Sequence, residues 1–284
     1  MRIIKLVLML AVLVAVPVFA QAPPPSYAPP QLDQLVARIA LYPDPLVAQI
    51  LAGATYPDQI QDAARWADQH HYLSGQALAD AIQADQLPWD PSVQALLPFV
   101  SVLDMMASDM NWTTDLGNAF LAQQQDVMDA VQRERRKARD FGYLRSNGQI
   151  IVGAGPYITI MPIDPGFIVV PYYDPGIVFF APRRGFMVGG AIRFGFGVSI
   201  GGFFRPWGWG YNRFDWGGHA VIINNAPWRR TWVNRGAYVH PYAGVRRFTP
   251  AQRVPEHHEV HGRSENERAA PREGRRPEEE HGRR

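Results

Sequence analysis

The chain has 284 residues, 28 Lys+Arg against 26 Asp+Glu, and no cysteine. This length and composition allow one or two modest domains plus non-globular segments. Without cysteine there is no disulfide, no thiol catalysis, no Cys-ligated metal and no lipid on an N-terminal cysteine.

Met1 to Ala20 has the form of an export signal. Arg2 and Lys5 supply the charge, Leu6 to Val16 the apolar stretch, and Val18-Phe19-Ala20 a small-x-small cleavage site. The apolar run is short for a membrane anchor, and Pro17 breaks it. The expectation is an exported chain, periplasmic or secreted, with no transmembrane helix after processing. Residues 21–31, beginning QAPPPSYAPP, read as an extended proline-rich linker.

Residues 32–142 read as an all-helical domain organised around Ile39–Trp66. There Tyr-Pro-Asp occurs at 42–44 and again at 56–58. Leu46, Ile50 and Leu51 follow the first copy at helical spacing. Asp44-Pro45 reads as an N-cap with proline in the first turn, and Thr55 with Asp58 as a capping-box spacing. Helices this short are held by packing, so the repeats are corners of a bundle rather than an acid/base pair. Ser74 and Asp90-Pro91 start further helices, and Pro98 limits one. The longest helix is expected over Thr113–Phe141, burying Leu116, Ala119, Phe120, Val127, Ala130 and Val131, with Gly142 as its C-terminal cap. Arg133, Arg135, Arg136, Lys137 and Arg139 in its last turns complement the helix dipole; contact with an anionic surface is the sharper alternative. Trp66, Trp89 and Trp112, each beside a helix boundary, read as core and corner packing.

The blocks ALYPDPLVAQILAGATYP, AARW, PWDPSVQALLPF and MNWTTDLGNAFLAQQQDVMDAVQRERRKA, then PIDPGFIVVPYYDP, resemble the bacterial DUF3300 family in content and order. The resemblance covers about Leu32 to Ala181. It implies an exported bacterial envelope protein. The family has no assigned activity, so no catalytic residue comes with it.

Residues 143–182 read as a small antiparallel β region. Asn147-Gly148 signals a hairpin turn, and strands are expected over Gln149–Gly153, Tyr157–Met161, Phe167–Tyr172 and Ile177–Phe180. Asp164-Pro165-Gly166 and Asp174-Pro175-Gly176 are turn tripeptides, and Pro171 marks an edge or bulge. Residues 183–249 are rich in glycine, aromatics and arginine. Within Gly185–Gly202, Val188, Ile192, Phe194, Phe196, Val198 and Ile200 alternate with Arg193 and small residues. That predicts a strand with one nearly bare face, suited to close packing or self-association. A membrane barrel needs about eight such strands and is rejected. Between Gly176 and Pro250 the only acid is Asp215, against ten arginines. Residues 250–284 hold almost no large apolar side chain and read as a disordered charged tail.

Gly197-Val198-Ser199-Ile200-Gly201 matches a nucleophile-elbow pattern, with Asp215 and His219 following in triad order. The serine lies inside a glycine-rich strand, however, and no helix pattern follows it. His257-His258-Glu259-Val260-His261 lacks the second histidine at the zinc spacing. No catalytic residue, metal or cofactor is assigned. The candidate binding surface is the aromatic-arginine segment: Trp207, Trp209, Trp216, Trp228 and Trp232 for stacking, and Arg205, Arg213, Arg229 and Arg230 for anions. Expected partners are an envelope glycan, an anionic lipid surface or an acidic protein; export argues against nucleic acid. Alternatively, this basic segment docks on the protein's own acidic helical half. The reading is an α+β exported envelope protein, a non-enzymatic structural or interaction module. The alternative is an enzyme, a hydrolase using Ser199.

Overall fold

Proline sets half of the helix starts in the first part of the chain. In chain order the helices are α1 (Pro29–Val36), α2 (Asp44–Ala54), α3 (Pro57–Gln69), α4 (Gly75–Ala84), α5 (Pro91–Gln94), α6 (Val100–Ser108), α7 (Met110–Ala122) and α8 (Gln124–Asp140). Of these, α1, α2, α3 and α5 carry proline in the first turn, where its missing N–H has no partner to lose. The computed structural model describes residues 22–182 and 189–242. The export signal, the start of the alternating segment through Val188, the 257–261 histidine cluster and the 250–284 tail lie outside the described residues.

Helix α2 is buried along its whole length and forms the centre of the molecule. Helix α7 crosses its C-terminal end so closely that a Cβ on Gly117 would sit 1.9 Å from the Ala54 carbonyl oxygen. Trp89 and Trp112 are buried, and the half-buried Trp66 donates its indole N–H to Asp85, so these three do pack at corners.

Two expectations in this half are corrected. The long helix is broken at Gln123 (φ −139°, ψ 48°), because its side-chain amide leaves the helix to pair with both the N–H and the C=O of Tyr27. The stripe predicted for it is nonetheless buried on both pieces, and Gly142 (φ 81°) ends the second. The aspartates of the Tyr-Pro-Asp repeats do not cap. Asp44 turns into the core, and Thr55 donates to the Ala52 carbonyl instead of capping α3. Asp90 does cap, accepting from the Ser92 N–H at 2.9 Å.

After Gly142 come short strands: β1 (Ile150–Val152), β2 (Ile160–Pro162), β3 (Phe167–Ile168) and β4 (Pro171–Tyr173). β1 and β2 pair as an antiparallel hairpin. Asn147 forms a local turn, its side chain accepting from the N–H groups of Gln149 and Ile150, rather than a hairpin between strands. Ile177–Phe180 is not a strand. Asp174-Pro175 starts a helical turn, α9 (Pro175–Val178), with Asp174 accepting from the Gly176 N–H, the same device as Asp90-Pro91.

The glycine-rich segment does not run as one strand either. It yields β5 (Ile192–Phe194), antiparallel to β4, and β6 (Val198–Ser199), antiparallel to β3. Pro171 faces Phe194 and Ile168 faces Val198, so three steps on one side oppose four on the other. The extra residue is a bulge at Gly195–Gly197, which breaks the alternation and turns Phe196 fully into solvent.

A 3₁₀ turn over Gly202–Trp207 leads to a three-stranded meander, β7 (Arg213–Asp215), β8 (Ala220–Ile223) and β9 (Ala226–Pro227). Asn224 and Asn225 both take positive φ (51° and 58°), the geometry of a two-residue primed turn. The fold is therefore α+β, helices first and small antiparallel sheets after, and both halves contribute to one hydrophobic core.

Candidate functional site

The densest polar constellation lies at the centre. Arg135 is 0% exposed and Asp44 3%. The guanidinium donates to Asp44 Oδ1 at 2.6 Å and to the carbonyls of Ala40, Tyr42 and Ile158 at 2.8, 3.1 and 2.8 Å. The carboxylate accepts in addition from the Ile160 N–H at 3.1 Å and from the Trp216 indole at 3.0 Å. Every group in this cluster already has protein partners. Its chemistry is to join α2, α8, β2 and the turn after β7, not to receive a substrate.

Three of the four remaining cations of α8 are also engaged, and among the described residues Arg136 is exposed without an ion pair. Arg133 pairs with Asp33, Lys137 with Glu134 and Asp33, and Arg139 with Asp140. Lys137 and Arg139 lie in the last turn, as helix-dipole complementarity requires, and the run adds side-chain ion pairs and one buried bridge.

The tryptophans chosen as stacking residues are mostly inside. Trp207 and Trp209 are 1% and 0% exposed, and their indoles donate to Gln94 Oε1 and the Ala95 carbonyl, each at 2.9 Å. Gln49 donates to the Trp207 carbonyl at 2.9 Å. Trp216 points at Asp44, and Trp228 is buried among the rings of Tyr238 and His240. These four therefore cannot stack on an external ligand in this conformation. Large aromatic area is worth most when removed from water, and Gln94, the Ala95 carbonyl and Asp44 supply acceptors for three of the four indoles. Trp232 is half-buried; its indole donates to the Ala22 carbonyl and Arg235 covers its ring at 3.8 Å.

Arg230 is likewise internal. It donates to the Thr55 carbonyl and, at 2.8 Å, to that of Arg235, and it lies 3.7 Å over the Tyr56 ring. Burial pushes the Tyr56 phenol well above its ordinary range and holds His240, in the neighbouring aromatic group, below its usual value. This belt of indoles and one guanidinium fastens the C-terminal segment to the helices.

Arg205, Arg213 and Arg229 remain exposed, as does Arg193 on β5. Arg213 and Arg229 share the outer side of the meander. Arg213 lies opposite Ile222, and the hydrogen bond from the Trp228 N–H to the Val221 carbonyl carries the register on, so Arg229 follows the inward-facing Trp228. Arg205 sits apart on the 3₁₀ turn. Among the described residues none of these four guanidiniums has a carboxylate partner; Arg213 reaches only Asn225 Oδ1, at 3.3 Å.

The serine pattern finds no catalytic geometry. Ser199 lies in β6 opposite Phe167, and a 3₁₀ turn follows instead of a helix. Asp215 accepts from the Gly218 N–H, and His219 Nε2 lies 3.1 Å from Asp129. Among the described residues there is no group of three or more His, Cys, Asp or Glu side chains that could hold a metal.

One surface escaped the sequence reading. Ile151, Met161, Ile163, Phe167, Tyr172, Phe180 and Phe196 are all exposed on the β region. The signal was Gly195-Phe196-Gly197. Read as straight alternation it put Phe196 on the face of Phe194 and Val198; the bulge reverses it.

A family model described as "Protein of unknown function (DUF3300)" matches residues 28–240. The chain is also 33% identical over 209 residues to "Uncharacterized protein YacH" of Escherichia coli (strain K12), a match covering 60% of this chain and 34% of that protein. The chain thus spans about a third of that relative's length. No solved structure matches.

Proposed function

The chain belongs to the DUF3300 family, and from that premise we propose that it is an exported cell-envelope module that acts by contact rather than catalysis. Export is supported by the charged, apolar and small-x-small order of Met1–Ala20. The periplasm or the cell exterior is the compartment that follows. Among the described residues no helix is long and apolar enough to cross a membrane.

The observation that carries the reading is the contrast between two sets of cations. Among the described residues, every cation of the helical half except Arg136 pairs with an acid, whereas Arg193, Arg205, Arg213 and Arg229 all stand exposed without one. Unpaired surface guanidiniums attract anionic polymers over a Debye length and present forked donors to phosphate or carboxylate on contact. The buried tryptophans and Arg230 hold that surface in place rather than binding the ligand themselves.

The test is co-sedimentation of the processed chain, Gln21 to Arg284, with isolated cell envelopes at low and high salt. The expected result is pelleting at low salt that weakens as salt rises, and reduced low-salt pelleting in the Arg205→Ala/Arg213→Ala/Arg229→Ala variant. Wild-type protein that stays in solution at every salt concentration overturns the reading. Terminal sequencing of the protein from fractionated cells tests export: cleavage after Ala20 is expected, and an intact Met1 terminus in the cytoplasm refutes it.

A further inference from the structure

Apolar side chains are unevenly placed on this surface. Ile151 and Met161 stand opposite one another on the β1–β2 hairpin and are 53% and 38% exposed. The end of that hairpin is tied to the bulge, since the Ile163 N–H donates to the Gln149 carbonyl and the Gln149 side chain to the Gly195 carbonyl. On the β3–β6 and β4–β5 ribbon, the Phe167 and Tyr172 side chains lie alongside Gly197 and Gly195. Phe196 projects between these two glycines at 101% exposure, with no part of the described protein shielding it. A lone exposed phenylalanine is ordinary; one at the tip of a glycine-flanked bulge, beside other exposed apolar side chains, is a patch that asks for an occupant.

We propose that this face is a membrane-contact surface. Phe196 enters the boundary between headgroups and acyl chains of an anionic bilayer, and Arg193, opposite Tyr172 on the same ribbon, meets the lipid phosphates. Charge selects this occupant. The acids at the ends of the ribbon, Asp164 and Asp174, are turned back onto the N–H groups of Gly166 and Gly176, and Asp215 is the only acid between Gly176 and Pro250. A second copy of the chain, paired face to face, would bring like charges together. A glycan polymer offers hydroxyls, to which Ile151, Met161, Ile163 and Phe196 have nothing to donate. A bilayer interface accepts an apolar wedge and a neighbouring guanidinium together.

The inference rests on the envelope reading only for access to the bilayer, and it is tested on vesicles directly. The processed chain is floated with phosphatidylglycerol–phosphatidylcholine vesicles and with phosphatidylcholine alone. Flotation with the anionic vesicles is expected, part of it surviving high salt. Phe196→Ser, whose side chain supports nothing in the fold, should lower partitioning by roughly tenfold, the scale of a phenylalanine withdrawn from water. Phe196→Trp should show added fluorescence quenching by acyl-brominated lipid relative to wild type.

Three results overturn it and leave the envelope reading standing. One is vesicle binding that salt abolishes and Phe196→Ser does not change, which is headgroup attraction without insertion. Another is envelope binding without vesicle binding, which moves the ligand to a non-lipid polymer. The third is a dimer in sedimentation velocity that Phe196→Ser dissolves, which assigns the face to a second copy. Binding to neither vesicles nor envelopes removes both proposals.

Discussion

Arg135 Nη1 donates to Asp44 Oδ1 at 2.6 Å across 91 positions of sequence, and neither side chain is open to solvent. Asp44 thereby holds the long basic helix α8 against the central helix α2, while its other contacts reach β2 and Trp216.

Asp44→Ala leaves a buried guanidinium without its counter-charge, and about 3–5 kcal/mol of stability should be lost. The paired change Asp44→Leu with Arg135→Met should cost clearly less than the two single changes summed, because it removes both charges together. Urea unfolding of the four proteins closes the cycle. Additive losses would show that the two side chains do not act as a pair.

Arg230 and Arg229 are adjacent in sequence and opposite in consequence. Arg230→Met should lower stability by about 2 kcal/mol, through the lost carbonyl contacts and the lost stacking on Tyr56. Arg229→Ala should leave the urea midpoint unchanged and weaken envelope binding instead. Unfolding and co-sedimentation, run side by side, separate the two roles. Equal stabilities for the two variants would contradict the assignment.

Gly117 has no room for a side chain. Gly117→Ala drives a methyl into the Ala54 carbonyl and should cost at least about 2–3 kcal/mol, with α7 displaced from α2. Gly148→Ala, where a Cβ meets nothing within 4 Å, is the matched control and should change the melting temperature little.

Alkali should unfold the protein through its tyrosines. Burial pushes the Tyr42 phenol from 10.0 up to about 12, and raises Tyr173 and Tyr242 well above the ordinary value. Above about pH 10 the unfolded chain loses phenolic protons that the folded chain keeps. The stability these groups contribute is therefore fully present below pH 10 and is lost progressively as pH rises through about 12. Unfolding midpoints measured across this range should fall, with phenolate absorbance from the buried rings rising only as the fold is lost. Tyr42→Phe should reduce the slope.

The helical half was largely legible because its rules are local. Proline at 45, 57 and 91 marks helix starts, and the 3.6-residue stripe from Leu116 to Val131 marks a buried face that persists through the break at Gln123. What was not legible depends on distant partners. Asp44 carries the local signature of a cap, and only the arrival of Arg135 and Trp216 gives it another use. Ile177–Phe180 has strand composition, yet Asp174-Pro175 starts a helical turn there, a signal already read correctly at Asp90. Nor does composition tell an indole bound for a ligand from one bound for the Ala95 carbonyl. The site shifted accordingly, from stacking tryptophans to unpaired arginines and a bulge that alternation alone conceals.

The belt of long-range hydrogen bonds also decides when this chain can finish folding. Gln49 waits for Trp207, 158 positions later, and the Ala22 carbonyl for Trp232, 210 positions later. A nascent chain that stops after α8 has the helices of its N-terminal half in hand but lacks the donors and rings that close over them. Its central helix stays wet until Trp207 and strands β7 and β8 have been made. Contacts this distant slow folding and leave a long interval in which the half-built core is open to proteases and to aggregation. A fragment ending at Gly142 should accordingly behave as a loosely packed intermediate, and the complete chain as a single cooperative unit.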